Sequence, residues 1–293
     1  MENKYVPKIP YYKERVLGDR INVTFEFIRE NFKHLFKTIL IIDGPIVLLV
    51  GFSYAMYMQS LMGFAGGGAP EEVDPTNMLI SSLGMMISGF FLFYSFFAIV
   101  LRYLALYQEM PPEEITTGLI ARHIFKDGGK LFLISIPLFI MVFVSMFFLV
   151  VPMIYVSVAF SMVFTIVIFE KGNLFRSFGR SFKLIQGHWW STFGYMIVLY
   201  FIQMAIAMVF YLPMYGFMFS EILANQANPD SLFTDMSNAN MLMMSGTMAF
   251  AYLGILMSYT ISVVAISFQY FNLREQKEAV GLMSNIEEMN QAS

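Results

Sequence analysis

The sequence predicts an all-α protein that spans a membrane six times. Of its 293 residues, 57% are hydrophobic and only 13% are charged, about half the charged share of an ordinary soluble domain. Long apolar stretches alternate with short polar segments, and every Lys and Arg falls on one side of the resulting pattern. These observations exclude a soluble globular enzyme and a disordered chain, and the absence of Cys excludes a disulfide scaffold.

Five apolar stretches are long enough to cross a ~30 Å hydrocarbon core, which takes about 20 helical residues. They are residues 38–59, 78–101, 131–169, 190–211 and 241–268. The third has 39 residues without a charge, about 58 Å of helix, which is too long for one crossing. Pro152 lies near its middle and favours a break, so we expect two helices joined by a tight turn at Val150, Val151 and Pro152.

The basic residues test this count of spans. Eight precede the first span, four follow the second, four follow the fourth and two follow the sixth, which accounts for all 18. The loops at residues 60–77 and 212–240 contain none and carry six acidic residues instead. Because positive residues mark the cytoplasmic side, we expect both termini in the cytoplasm and an acidic outer face.

Each pair of spans follows a segment with amphipathic character, at residues 17–36, 112–130 and 173–188. We interpret the chain as three repeats, each a cytoplasmic interfacial helix that precedes a transmembrane hairpin. In the first segment, Arg20, Arg29 and Lys33 fall outside the apolar stripe. The domain plan is a cytoplasmic segment at 1–37, a six-helix domain at 38–271 and a short cytoplasmic tail at 272–293. The alternative is that any protein with three cytoplasmic segments shows such junctions.

The third of these segments has the clearest pattern. Leu174, Phe175, Phe178, Phe182 and Ile185 cluster on one side, and Arg176, Arg180 and Lys183 lie on the other with no acid among them. Such a helix is expected to lie in the membrane plane, with its cations against the headgroups of anionic lipid. Anionic lipids are therefore the expected partners, with other membrane proteins as an alternative. Nucleic acid is not expected, and the oligomeric state stays open.

Residues 149–190 carry a family resemblance. The matching features are Pro152, the acid Glu170 at the end of the fourth span, the Ser-Phe-Lys-Leu run at 181–184, and Trp189 and Trp190 at the start of the next span. This pattern resembles the six-helix membrane domain named after glycerophosphoryl diester phosphodiesterases, although Met153 stands where that family has Gly. The resemblance implies a multi-pass protein of the bacterial cytoplasmic membrane. The phosphodiesterase activity belongs to a separate soluble domain and is not expected.

Three ionisable residues lie within or beside the spans and form a candidate polar core: Asp43, Arg102 and Glu170. An ionisable group at membrane depth is expensive and marks a functional site by default. Asp43 either handles a substrate or proton, or meets water or Lys37 near the interface. Arg102 either extends to the interface or pairs with Asp43 or Glu170. We expect Glu170 to pair with Arg176 or Arg180 in the following helix.

Other patterns favour packing over chemistry. His34, His123 and His188 lack the spacing of metal ligands, and no metal or cofactor is expected. Six methionines near the outer face suit either copper or apolar packing, and packing is favoured because Met occurs in every span. They are Met214, Met218, Met236, Met241, Met243 and Met244. Gly254, Ser258 and Ser262 repeat every four residues, which allows close helix packing, within the chain or in a dimer.

The sequence leaves two functional hypotheses. The first is a non-catalytic scaffold or accessory protein that contacts anionic lipid or partner proteins through basic interfacial helices. The second is a transporter or lipid-handling protein with Asp43, Arg102 and Glu170 as its polar core. An enzyme is not expected, because no nucleotide-binding, hydrolase or metalloprotease motif is present.

Overall fold

The structure is a computed structural model that describes residues 5, 7–65, 75–148, 150–170, 174–224 and 238–292. These residues form helices and contain no β-strand. In chain order the α-helices of the described residues are α1 Leu17–Ala65, α2 Pro75–Tyr107, α3 Thr117–Met146, α4 Val150–Ala159, α5 Val163–Phe169, α6 Arg176–Ile185, α7 Trp189–Ala224, α8 Asn238–Glu278 and α9 Val280–Ala292.

Six segments are long and apolar enough to cross a membrane. They are Leu17–Leu61, Thr76–Tyr107, Thr117–Met146, Val150–Phe169, Trp189–Leu223 and Ala239–Glu278. The predicted all-helical class is therefore confirmed for the described residues, and the number of helices with the length and composition of a span equals the predicted number of spans.

The break in the long apolar stretch falls slightly earlier than predicted. Helix α3 ends at Met146, Phe147 and Phe148 form a turn, and α4 begins at Val150. Pro152 lies in the first turn of α4 and not in the connection. A proline fits there because the first turn of a helix has no internal acceptor for its N–H group.

Two of the three predicted interfacial helices are not separate elements, which corrects the prediction. Helix α1 runs from residue 17 to residue 65 without interruption, because nothing between the predicted segment and the span ends a helix and Pro45 is accommodated within it. Residues 112–114 form a short 3-10 helix, and α3 begins only at Thr117 and continues to Met146. The side chain of Thr116 caps α3 by accepting a hydrogen bond from the Leu119 N–H group.

The third predicted interfacial helix is a separate element, α6. It ends before Gly187, which has a φ of 83°. Glycine adopts this left-handed conformation without steric cost, which allows the chain to turn into α7. The fourth span is also interrupted, since α4 ends at Ala159 and α5 begins at Val163. The apolar composition of residues 150–169 gave no signal for this second break.

The described residues group into two compact units. Unit 1 is formed from Met1–Thr38, Phe97–Phe201 and Thr260–Ser293, and unit 2 from Ile39–Phe96 and Ile202–Tyr259. Each unit draws its residues from separate parts of the chain, so its helical segments meet only through tertiary packing.

Unit 1 has an aromatic core that includes the segment before α1. The Tyr11 ring lies 4.6 Å from that of Phe271 and 5.5 Å from that of Phe268, centroid to centroid. The Tyr11 hydroxyl donates a hydrogen bond to the Leu104 carbonyl at 2.9 Å, and the Arg15 N–H donates to Oδ1 of Asn272 at 2.7 Å. Ile9, Tyr11 and Arg15 are buried, so the segment before α1 packs against the core of unit 1 through these residues.

Unit 2 packs parts of α1, α2, α7 and α8 through close contacts at small residues. Ala55, Phe217 and Met244 form a buried cluster that joins α1, α7 and α8. A Cβ atom on Gly51 would lie 2.7 Å from the Ser245 carbonyl oxygen, and one on Gly84 would lie 2.8 Å from the Ser53 hydroxyl. Neither position has room for a larger side chain without movement of a neighbour.

Candidate functional site

Helix α6 places its three cations on one face. Arg176, Arg180 and Lys183 are spaced i, i+4, i+7, which puts them on one side of a helix. The other face is buried through Ser177, Ser181 and Leu184. Because the opposite face is buried, the three cations point away from the protein core.

The Ser181 hydroxyl attaches α6 to the interrupted fourth span. It donates a hydrogen bond at 2.8 Å to the Ala159 carbonyl, at the last residue of α4. Because α4 stops there, this carbonyl has lost its helical partner, and a buried carbonyl without a partner costs free energy. The break in the span and the position of α6 are therefore physically linked.

The cations of α6 line an open cleft of about 530 Å³, which we term the α6 cleft. Its lining combines positive charge with apolar surface. The lining residues are Ile166, Val167, Glu170, Leu174, Phe175, Arg176, Ser177, Gly179, Arg180 and Lys183. All three residues predicted to contact lipid headgroups thus border one cavity.

Glu170 is held in an ion-pair network at one side of this cleft. Its Oε1 accepts a hydrogen bond from Nε of Arg180 at 2.9 Å and another from the Tyr270 hydroxyl at 2.9 Å. Arg180 also pairs with Glu278, and Glu278 accepts from Nε of Arg274 at 3.0 Å. The expected pairing of Glu170 with the following helix is therefore present, through Arg180.

The three cations of α6 differ in whether an acidic side chain pairs with them. The hydrogen bond to Glu278, opposed by partial burial and supported by Glu170, raises the pKa of the Arg180 guanidinium above its ordinary value. Arg176 and Lys183 are exposed, and among the described residues neither side chain has an ion pair or a hydrogen bond. Their two charges remain available to an anion in the cleft.

The end of α8 fixes the C-terminal end of α6. The Lys277 ammonium donates hydrogen bonds to the carbonyls of Lys183 and Gln186, at 2.6 Å and 2.7 Å. A helix ends with carbonyl groups that lack internal partners, and a cation satisfies them well. The segment predicted as a short cytoplasmic tail therefore begins as the end of the last long helix.

Arg102 pairs with Asp127, a residue that the sequence analysis did not single out. Nε and an Nη atom of Arg102 bond the two carboxylate oxygens at 2.6 Å and 2.7 Å, and Asp127 is fully buried. This bidentate geometry is the strong form of an arginine–carboxylate pair.

Arg20 is buried, although the sequence places it on a polar face. Its guanidinium donates to Oε1 of Gln269 and lies 5.1 Å from the centroid of the Tyr195 ring. Gln269 in turn donates to the Thr192 hydroxyl at 2.9 Å. The prediction that Arg20 lies on a polar face is wrong, because α1 packs against other helices on this side as well. A buried guanidinium is tolerated there since a neutral acceptor and an aromatic ring stabilise its charge.

Asp43 is fully buried in α1, whereas Lys37 is exposed. The Ser95 hydroxyl oxygen lies 2.5 Å from Oδ1 of Asp43 and 2.7 Å from the Phe91 carbonyl oxygen. Oδ2 of Asp43 has no hydrogen-bond partner among the described residues. Asp43, Arg102 and Glu170 each have a separate partner: Ser95, Asp127 and Arg180.

The small residues of α8 pack within the chain. A Cβ atom on Gly254 would overlap the Phe210 ring of α7 and reach its Cδ2 at 2.5 Å. Ser258 is buried and donates to the Ile255 carbonyl at 2.8 Å, while the Ser262 hydroxyl is buried without a partner in the described part of the chain. The close approach at Gly254 supports the intramolecular alternative over a dimer contact.

The candidate metal ligands are dispersed. In the described ranges no group of three or more His, Cys, Asp or Glu side chains could hold a metal ion. Of the methionines weighed for copper, Met244 lies in the core of unit 2 with Met241 packed against it, Met214 is buried, Met218 is partly buried, and Met243 is exposed. Met236 lies outside the described residues.

Comparison with known proteins relates the chain to a protein family. No curated protein and no solved structure matches the chain. A family model described as Domain of unknown function (DUF7847) matches residues 104–271, which include α6 and the whole lining of its cleft. Nothing in this match links the chain to the phosphodiesterase membrane domain that residues 149–190 resemble. Because the matched residues are more than half of the 293, the chain belongs to the DUF7847 family.

Proposed function

We propose that the protein is a non-catalytic membrane scaffold whose α6 cleft binds the headgroup of an anionic phospholipid. The observation that carries the proposal is the lining of the cleft, where Arg176 and Lys183 offer two cations beside apolar surface. A phospholipid joins these two properties in one molecule, since its phosphate is anionic and its acyl chains are apolar. Cations near a charged membrane surface each contribute about 1 kcal/mol to such binding.

The apolar residues of the cleft have the character needed for an acyl chain. Ile166 and Val167 belong to α5, which is part of a membrane-spanning segment, and Leu174 and Phe175 immediately precede α6. The side chains of Phe175 and Phe182 are exposed. Such rings at the edge of a basic helix favour insertion among acyl chains.

A catalytic role receives less support from this cleft. Ser177 is the hydroxyl-bearing residue of its lining, and the lining contains no histidine. The carboxylate of Glu170 is engaged by Arg180 and Tyr270, so it is poorly suited to act as a general base. The transporter alternative is also weaker, because Arg102 and Glu170 are each engaged in an ion pair of their own.

We place the α6 cleft on the cytoplasmic side of a bacterial inner membrane, with both chain termini on the same side. The support is the distribution of the 18 Lys and Arg residues. None of them lies in the acidic segments 60–77 and 212–240, and positive residues mark the cytoplasmic side. Anionic phospholipid in the cytoplasmic leaflet would then face the cations of α6.

Native mass spectrometry of the protein from phosphatidylglycerol–phosphatidylcholine nanodiscs tests the proposal. We expect wild-type protein to retain phosphatidylglycerol, and the double variant R176Q/K183Q to bind it roughly 30-fold more weakly, from two lost charges at about 1 kcal/mol each. The matched control is R122Q/K126Q, which removes two exposed cations of α3 outside the cleft. Equal losses in both double variants, or no loss in either, would contradict a lipid site at α6.

A further inference from the structure

Asp43 is a buried carboxyl group for which unit 2 supplies no counter-ion. The segments 39–96 and 202–259 that form this unit contain no Lys, Arg or His at any position. The other ionisable groups in the described part of the unit are Glu221 and the tyrosines Tyr54, Tyr57, Tyr94, Tyr211, Tyr215, Tyr252 and Tyr259. The polar side chain bonded to Asp43 is the neutral hydroxyl of Ser95. A carboxylate buried without a cation is costly by many kcal/mol and usually becomes neutral instead.

The hydrogen-bond geometry points the same way. The Ser95 oxygen lies 2.5 Å from Oδ1 of Asp43, 2.7 Å from the carbonyl oxygen of Phe91 and 3.2 Å from that of Leu92. A serine hydroxyl has one hydrogen to donate, whereas an ionised carboxylate and a carbonyl can only accept. With Asp43 ionised, a single hydrogen would have to serve both short contacts.

A proton on Asp43 satisfies both short contacts. The protonated carboxyl then donates to the Ser95 oxygen, and the Ser95 hydroxyl donates to the Phe91 carbonyl. We propose that Asp43 and Ser95 form a proton-binding site within the membrane-spanning part of the protein, with the proton resident on the carboxyl group of Asp43. This site is independent of lipid binding at α6 and does not rest on it.

A lipid-soluble carbodiimide reports directly on such a site. It reacts with a protonated carboxyl: the proton moves to one carbodiimide nitrogen and the carboxyl oxygen bonds to the central carbon. Transfer of the acyl group from that oxygen to nitrogen then gives a stable acylurea that contains every atom of the reagent. The adduct is detected as an added mass on the peptide that contains Asp43.

We expect dicyclohexylcarbodiimide to label Asp43 of the full chain in phosphatidylcholine vesicles at neutral pH. A water-soluble carbodiimide with an added amine should label the exposed Glu109 and leave Asp43 unmodified. Absence of the dicyclohexylcarbodiimide adduct at Asp43 would overturn the proposal. Protection of Asp43 by sodium or potassium ions would also overturn it, because a metal cation would then be the occupant.

Infrared spectroscopy provides a second measurement on the same protein. A protonated carboxyl has a carbonyl band separate from that of a carboxylate, and we expect this band in wild-type protein and its loss in Asp43→Asn. The variant keeps the shape of the side chain and a hydrogen-bond donor for Ser95. Ser95→Ala should keep the band but shift its frequency, since the acceptor is removed. Identical spectra for wild type and Asp43→Asn would contradict a protonated Asp43.

Discussion

Among the described residues, the ion-pair partner of the buried Asp127 is Arg102. Asp127 is fully buried in α3, and both of its carboxylate oxygens accept hydrogen bonds from the guanidinium of Arg102. Removal of one member of a buried ion pair leaves the other charge uncompensated, which costs more than the pair itself contributes. The pair is therefore expected to fix the packing of α2 against α3.

Asp127→Asn should lower the free energy of unfolding by about 3–5 kcal/mol, because Arg102 would lose its carboxylate partner. Thermal unfolding followed by circular dichroism in detergent measures the effect. The control is Glu109→Gln, which neutralises an exposed acid and should change stability by less than about 0.5 kcal/mol. The double variant R102M/D127L should recover most of the loss; a stability of Asp127→Asn equal to that of wild type would refute the dependence.

Single residues were the hardest part of the site to predict. Asp43 and Glu170 were recognisable because each is an ionisable group within or directly beside an apolar run. Asp127 was not, since Lys126 precedes it and Lys130 follows closely, which is typical of a solvated helix end. The burial of Arg20 depends on Gln269, 249 residues away in the chain, and a local pattern has no access to such a contact.

At the scale of elements, close contact between α7 and α8 depends on Gly254. The Phe210 ring occupies the space that a side chain at this position would need, and the atoms nearest to it are those at the root of the ring. The backbone of α8 can therefore approach α7 closely only with glycine at this point.

Gly254→Ala should destabilise the protein by about 1–3 kcal/mol, because the Phe210 side chain must leave its position. Thermal unfolding in detergent measures this. Gly246→Ala is a matched control in the same helix, since a Cβ atom there would meet nothing within 4 Å. If both substitutions had the same effect on stability, the steric explanation would fail.

The spans were predictable as elements, but their continuity was not. Hydrophobic length identified five apolar stretches, because the thickness of a bilayer sets a sharp requirement on apolar helices, and the excess length of the third together with Pro152 gave the sixth candidate span. The sequence did not indicate that α1 and α3 continue through their amphipathic starts, since a helical stripe looks the same whether it ends or continues. The break after Ala159 also has no local sequence signal. The Ala159 carbonyl accepts a hydrogen bond from Ser181, which lies 22 residues later in the chain.

At the scale of the whole molecule, the distribution of Lys and Arg along the chain follows its division into two units. Every Lys and Arg falls in the segments of unit 1, and the segments of unit 2 contain none. Insertion into a bilayer would produce this separation, because cations favour one aqueous side and are expelled from the hydrocarbon region. The sidedness of the charges stays a prediction from the sequence, whereas the grouping of distant segments into units required the structure.

We propose that the cations of α6 lie on the cytoplasmic side of a six-span protein. The chain has no Cys, so single cysteines can be labelled without background. We predict that an impermeant maleimide labels Asp74→Cys, in the acidic segment 60–77, in intact bacterial cells. It should label Arg176→Cys, in α6, only after the membrane is permeabilised. Labelling of Arg176→Cys in intact cells, or protection of Asp74→Cys in them, would contradict this account.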